Sequence, residues 1–244
     1  MQTPKSRGAI VLLALCASFA VATPVLAGVF SVTPVRIYMT PKDRAIAVTI
    51  TNEGDTEVVL QAELNAWSQK PDGTDEQVPT EDLILSPPII KLAAGARQVV
   101  RLALLKPADA SRQLIYRMIM REVPEATAAQ NKTIEVPIAL ALSLPVFITP
   151  PPAKREMDCS AIRSTPLVVN VSCGNQGSAY AQVREISLVR GEQTLARFEG
   201  GTYILPGARK TMSVNGQQAI ASGAAQLNVR FDDGKSQVFS IMLP

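Results

Sequence analysis

Arg36 is the residue with the clearest chemical potential. It stands in an apolar stretch, Ser31 to Ile37 (SVTPVRI), where the local pattern gives no reason for a charge. A guanidinium presents five N–H donors in a rigid fork that matches a carboxylate. Two readings stand side by side here: a snorkelling surface arginine, or an anion site that reads a carboxylate near a cleft. Cys159 and Cys173 are spaced too widely for a C-x-x-C redox pair. In an oxidising compartment they are expected to form a structural disulfide, worth about 3 kcal/mol in the chain-entropy model. The remaining composition speaks against catalysis. The chain has no histidine, which removes Ser-His-Asp and Cys-His arrangements and the commonest metal ligand. It has no G-x-S-x-G, no glycine-rich phosphate loop and no H-E-x-x-H. Glu53, Asp55, Asp72, Asp75, Glu76, Glu81 and Asp82 fall in turn-rich stretches. Glu81-Asp82 and Asp232-Asp233 are sequence neighbours and would face opposite ways on a strand. They read as solvated turn residues rather than a catalytic dyad, and nothing indicates a carboxylate glycosidase. The expectation is a protein that binds, with no enzymatic activity, no metal and no cofactor.

The stretch best suited to binding runs from Ile134 to Phe147 (IEVPIALALSLPVF). Ile134, Val136, Ile138, Leu140, Leu142, Leu144 and Val146 alternate with the small or polar Glu135, Pro137, Ala139, Ala141, Ser143 and Pro145. Successive strand residues face opposite sides, so one face is an aliphatic ridge and the other nearly flat. At ~3.3 Å per residue the ridge spans on the order of 43 Å, well beyond the usual strand of about 5–6 residues. The plainest packing buries the bulky face in its own sandwich and turns the small face to solvent. The length argues that part of the ridge serves something else. Two prolines within the run favour an edge strand. A long apolar edge is an aggregation hazard unless something pairs with it.

The elements that position these residues begin after a leader. Lys5 and Arg7 precede an apolar run from Ala9 to Ala22, and Val25-Leu26-Ala27 is a small-residue cleavage site. Residues 1–27 read as a cleaved signal peptide, and the product as exported to a Gram-negative periplasm. The leader removes two basic residues, so the net charge falls from +3 to +1. Basic residues are scattered, which gives no nucleic-acid signature.

From Gly28 onward short alternating runs recur between turns. Ala45–Thr51, Val58–Trp67, Leu83–Ser86, Gln98–Leu105 and Leu114–Glu122 read as strands. Asn52–Asp55, Lys70–Gly73 and Ala94-Gly95 read as turns. Many short strands without a helical period indicate an all-β sandwich. Pro150–Lys154 is a stiff proline linker and marks a boundary. Beyond it, Leu167–Cys173, Ala181–Val189, Thr194–Phe198, Thr202–Leu205, Lys210–Val214, Gln226–Phe231 and Gln237–Leu243 form a second set. Hairpin turns are expected at Arg190–Glu192 and Asp232–Lys235. The expected architecture is two immunoglobulin-like sandwiches, residues 28–149 and 155–244, joined by 150–154.

Five stretches together resemble the periplasmic pilus (fimbrial) chaperones of the chaperone–usher pathway. They are Ser31–Ile37, Leu85–Pro88 with Leu92–Arg101 (LAAGARQVVR), Tyr116–Pro124 (YRMIMREVP), Ile134–Phe147 and Tyr203–Gly207 (YILPG). Singly each is weak; their order and spacing are specific and cover essentially the whole chain after the leader. The resemblance implies a boomerang of two immunoglobulin-like domains that binds fimbrial subunits and delivers them to an outer-membrane usher. Such subunits are sandwiches lacking their last strand, and the chaperone lends its own edge strand to fill the groove. By position the donors are Val136, Ile138 and Leu140, with Leu142 added. The subunit's terminal carboxylate docks on two bases. Arg36 matches the first, while Pro145 takes the place of the family's usual lysine. Arg101 and Arg117 are the candidates for the second base, since both lie on neighbouring strands. Thr149 also stands where many members have a basic residue. These departures look more like the archaic branch of the family, whose clients include spore-coat-U-like subunits. The resemblance leaves open whether the free protein self-associates to cover its edge.

Two other classes compete. A fimbrial subunit, structural or adhesive, would lack a complete final strand and a second domain. An unrelated two-sandwich binding module would need an aromatic platform, and only Trp67 and four tyrosines are present, scattered. Trp67 is expected to pack in a core or at a strand end.

Overall fold

The computed structural model describes residues 30–124 and 139–244. The expected leader and two of the donor positions, Val136 and Ile138, lie outside the described residues. The described part is all β, with seventeen strands.

The first unit is two sheets facing one core. One has the order β1 (Phe30–Thr33), β3 (Ala45–Asn52), β8 (Arg97–Leu104), β6 (Leu83–Ser86). The other runs β2 (Ile37–Met39), β10 (Ala141–Ile148), β9 (Leu114–Glu122), β4 (Val58–Gln69), β5 (Asp75–Pro79), and β7 (Ile89–Leu92) also pairs with β4. Alternation explains the core: Val48 and Ile50, Val100 and Leu102, Tyr116, Met118 and Met120 all point inward and are buried together. β5 and β7 were not expected. β5 is exposed along its whole length and has no apolar alternation to announce it; β7 follows the proline pair Pro87-Pro88.

Chain connectivity matters most at the start. β1 belongs to one sheet and β2 to the other. Pro34–Arg36 is the switch between them, so Arg36 sits where the chain crosses from sheet to sheet.

The second unit winds seven strands around one core in the order β11 (Met157–Thr165), β12 (Val168–Asn175), β15 (Arg209–Gly216), β14 (Gln193–Ile204), β13 (Ala181–Arg190), β16 (Gly223–Phe231), β17 (Ser236–Leu243). Cys159 lies directly opposite Cys173 on β11 and β12, and the two form the expected disulfide. The expected hairpins are present, with Gly191 and Gly234 at positive φ in their turns. The two short strands expected at Thr194–Phe198 and Thr202–Leu205 are one continuous strand, β14, which passes through Gly200-Gly201. Its pairing with β13 shifts register at the glycines, between Val183↔Thr202 and Glu185↔Glu199, and resumes on the far side.

The units meet over an apolar cluster of Trp67, Phe147 and Leu205, flanked by Ile115, Tyr180 and Tyr203. The turn of the β4–β5 hairpin presses on the second unit. Arg209 N–H donates to the Pro71 carbonyl at 3.0 Å. A Cβ on Gly73 would stand 2.6 Å from the Arg209 carbonyl oxygen. Glycine is required there twice over, because its φ is +82°.

Candidate functional site

β10 divides into two halves. Val146–Ile148 pair on both sides, with β2 in parallel and β9 antiparallel. Ala141–Pro145 pair only with β9, so their other edge carries no partner strand among the described residues. The pairing with β9 extends to Leu140, whose carbonyl accepts from the Glu122 N–H at 2.9 Å. Burial follows the same division. Leu144, Val146 and Ile148 are fully in the core, while Leu140 and Leu142 are half-buried at its margin. The small face is not at solvent throughout. Pro145 and Phe147 are buried as well, since the second unit covers that face at the strand's end. The bulky face thus anchors this strand at one end and lies at a half-open edge at the other.

Arg36 is next to this end of β10 and points between the units. Its Nη1 lies 3.0 Å from Asp232 Oδ2, with the side chains 30% and 11% exposed respectively. Tyr180 donates its hydroxyl to the same oxygen at 2.8 Å, and the Tyr38 hydroxyl is 3.0 Å from that of Tyr180. Phe147 stacks on Tyr180 with centroids 4.0 Å apart. Burial works to lower the Arg36 pKa, but hydrogen bonding to Tyr38 and the surrounding Tyr203, Tyr38 and Asp232 leave it raised. Arg36 is a fixed cation. Burial pushes the Tyr180 hydroxyl well above its ordinary range, reinforced by Tyr38 and Asp232.

Arg117, one of the two candidates for the second base, lies at the junction of the units, close to Trp67 and Tyr203. It stands on β9 directly opposite Pro145 on β10, one strand over from the position where the resemblance places a lysine. Its guanidinium lies 3.7 Å from the Trp67 ring centroid and 5.7 Å from that of Tyr203, a stacked cation–π arrangement. Its Nε is buried and has no hydrogen-bond partner. Burial lowers its pKa, opposed by Tyr203 and Asp75; an arginine so placed remains charged. Tyr203 joins the two bases electrostatically. Burial raises its hydroxyl pKa, while Arg36 and Arg117 both pull it down. Arg101 is elsewhere. It lies on β8 of the other sheet, exposed and opposite Ala47 and Ser86.

Asp232 and Tyr180 are the cleft residues that sequence reasoning missed. Asp232 reads locally as the first residue of a hairpin turn, and its partner is 196 positions away. Tyr203 entered only as part of the Tyr203–Gly207 motif, with no role attached. Among the described residues no cluster of His, Cys, Asp or Glu could hold a metal.

The family described as pili and flagellar-assembly chaperone, PapD N-terminal domain, matches residues 29–154. No curated protein matches the chain. Solved structures share the fold. The CsuC–CsuE chaperone–tip adhesion subunit pre-assembly complex, from archaic chaperone-usher Csu pili of Acinetobacter baumannii, is 19% identical with a TM-score of 0.63. That alignment covers 89% of this chain and 100% of that one. The E. coli chaperone DraB is 16% identical over 88% of this chain and 96% of its own, with a TM-score of 0.57. The Salmonella enterica SafA pilin–SafB chaperone complex is 15% identical over 91% and 99%, with a TM-score of 0.56.

Proposed function

The chain belongs to the pili and flagellar-assembly chaperone family, and on that premise we propose that it captures fimbrial subunits in the periplasm by lending them the open half of β10. The observation that carries this reading is the division of β10. Ala141–Pro145 have one unpaired edge, and Leu140 and Leu142 are half-buried beside it. An incomplete subunit sandwich can add its own strand along that edge. Main-chain hydrogen bonds supply affinity, and alternate side chains set the register. By sequence Val136 and Ile138 continue the alternation of Leu140 and Leu142, and they are the further donors proposed for the subunit's groove. Each aliphatic buried there is worth about 1.5–3 kcal/mol.

The cleft supplies the register stop. Arg36 and Arg117 both act electrostatically on Tyr203, and on this reading a subunit's terminal carboxylate docks against the two of them. Asp232 uses one donor of Arg36, so a guanidinium with five N–H groups can receive a second carboxylate without losing the first. Arg117 takes the part of the family's donor-strand lysine from the adjacent strand; Arg101 has no part. The export signal at residues 1–27, the domain division at 150–154 and delivery to an outer-membrane usher complete the reading.

Amide hydrogen exchange on the purified protein tests strand lending. With a bound fimbrial subunit, the amides of Ala141 to Ser143 should gain protection. Unchanged exchange there in a demonstrated complex would contradict it.

A further inference from the structure

Two glutamines of the first unit make matching contacts with main chain of the second. Gln69, at the end of β4, accepts from the Leu205 N–H at 2.8 Å through Oε1 and donates to the Tyr203 carbonyl at 3.2 Å through Nε2. The same Nε2 reaches Asp75 at 2.7 Å. Gln113, just before β9 and 8% exposed, accepts from the Tyr180 N–H at 2.9 Å through Oε1. Its own N–H donates to the Ser178 carbonyl at 2.9 Å, and its Nε2 donates to Thr149 Oγ1 at 2.6 Å. Both amides are therefore used at both ends.

What each glutamine holds is a tyrosine, and what each tyrosine touches leads to an arginine. The Tyr203 ring packs edge-on against Trp67 at 5.2 Å, on which the Arg117 guanidinium is stacked. The Tyr180 hydroxyl holds the Asp232 oxygen that pairs with Arg36. Both arginines belong to the first unit: Arg36 is held by Asp232 of the second, and Arg117, stacked on Trp67 of its own unit, is faced by Tyr203 of the second at 5.7 Å. Their spacing therefore depends on how the two units are registered. A side-chain amide that satisfies a main-chain N–H has a narrow range of workable geometry, which suits it to fix that register.

We propose that Gln69 and Gln113 are positioning residues for the carboxylate site: Gln69 sets Arg117 through Tyr203, and Gln113 sets Arg36 through Tyr180 and Asp232. This rests on the reading of the cleft given above. It goes beyond that reading in assigning the site's precision to two neutral side chains that do not touch the client. Removing either amide lets one arginine drift while leaving the open edge of β10 intact.

The test separates the carboxylate from the strand. The probes are a synthetic peptide of alternating aliphatic and small residues with a free C-terminal carboxylate, and the same peptide amidated. The wild-type protein should bind the acid more tightly. Gln113→Ala and Gln69→Ala should each cut the acid-over-amide preference, roughly tenfold for one lost hydrogen bond's worth of order, with affinity for the amide unchanged. Gln113→Asn, one methylene shorter, gives the same test should Gln113→Ala fail to fold, and Gln69→Asn does so for Gln69. A preference that is unchanged, or acid and amide weakened equally, would overturn the proposal. A wild-type protein that does not distinguish the two peptides would remove the carboxylate site itself, and the positioning role with it.

Discussion

Arg36 and Asp232 form a 3.0 Å ion pair that joins the two sandwiches across 196 residues of sequence. One partner stands at the sheet switch after β1, the other in the turn between β16 and β17. The pair holds a cation in the cleft already oriented by a carboxylate, which is the chemistry the site is proposed to perform on a client. Arg36→Ala removes the cation and leaves Asp232 facing the incoming carboxylate. Capture should weaken by tenfold or more, from the roughly 1.5–3 kcal/mol of a charged hydrogen bond. Titration calorimetry with a purified subunit checks this, and unchanged affinity would remove Arg36 from the site.

The two ends of the ridge should respond differently. Ile138→Lys, in the part proposed to enter the client, should abolish complex formation while the free protein melts as before. Leu144 is 5% exposed in the core, so Leu144→Ala should destabilise by about 2–5 kcal/mol. Thermal melts paired with pull-downs separate the effects. Loss of folding in Ile138→Lys would mean that the whole ridge is core.

Asp82 makes one acid-sensitive contribution. Its carboxylate contacts Lys106 and accepts from the Tyr116 hydroxyl at 3.0 Å. Lys106 holds its pKa below the ordinary carboxylate range; burial opposes this and Tyr116 reinforces it. A depressed folded-state value stabilises the fold above the unfolded pKa and is lost as pH falls through the folded one. Asp82→Asn should lower stability at neutral pH by roughly 1 kcal/mol. The variant and the wild type should converge in acid. Melting curves across pH check it, and a constant gap would refute the assignment.

The Cys159–Cys173 crosslink lies in the second unit, away from β10. Replacing both cysteines with alanine should cost about 2–4 kcal/mol. Chemical denaturation should show that loss, while subunit capture at low temperature stays intact.

The strands with apolar alternation were legible in the sequence because their core contacts are periodic. Val58–Gln69 and Leu114–Glu122 are clear cases. β5 was not, because an exposed polar edge leaves no period to read. β14 reads as two strands because its glycines sit at a register shift in the pairing with β13, and a bulge and a break look alike in sequence. Arg36 stood out as a charge among apolar neighbours. The partner of Arg36 did not, and neither did the placement of Arg117 at the junction of the units and of Arg101 on the other sheet. Both depend on which strand lies beside β10 and on how the second unit packs, and neither fact has a local signature.

The most direct measurement is co-expression of this protein with a fimbrial subunit encoded beside it. The subunit's solubility and protease resistance are compared with and without the partner. The account predicts a soluble, protected subunit that co-purifies with the chaperone, and an aggregated or degraded one alone. A subunit equally soluble and resistant without this protein would contradict it.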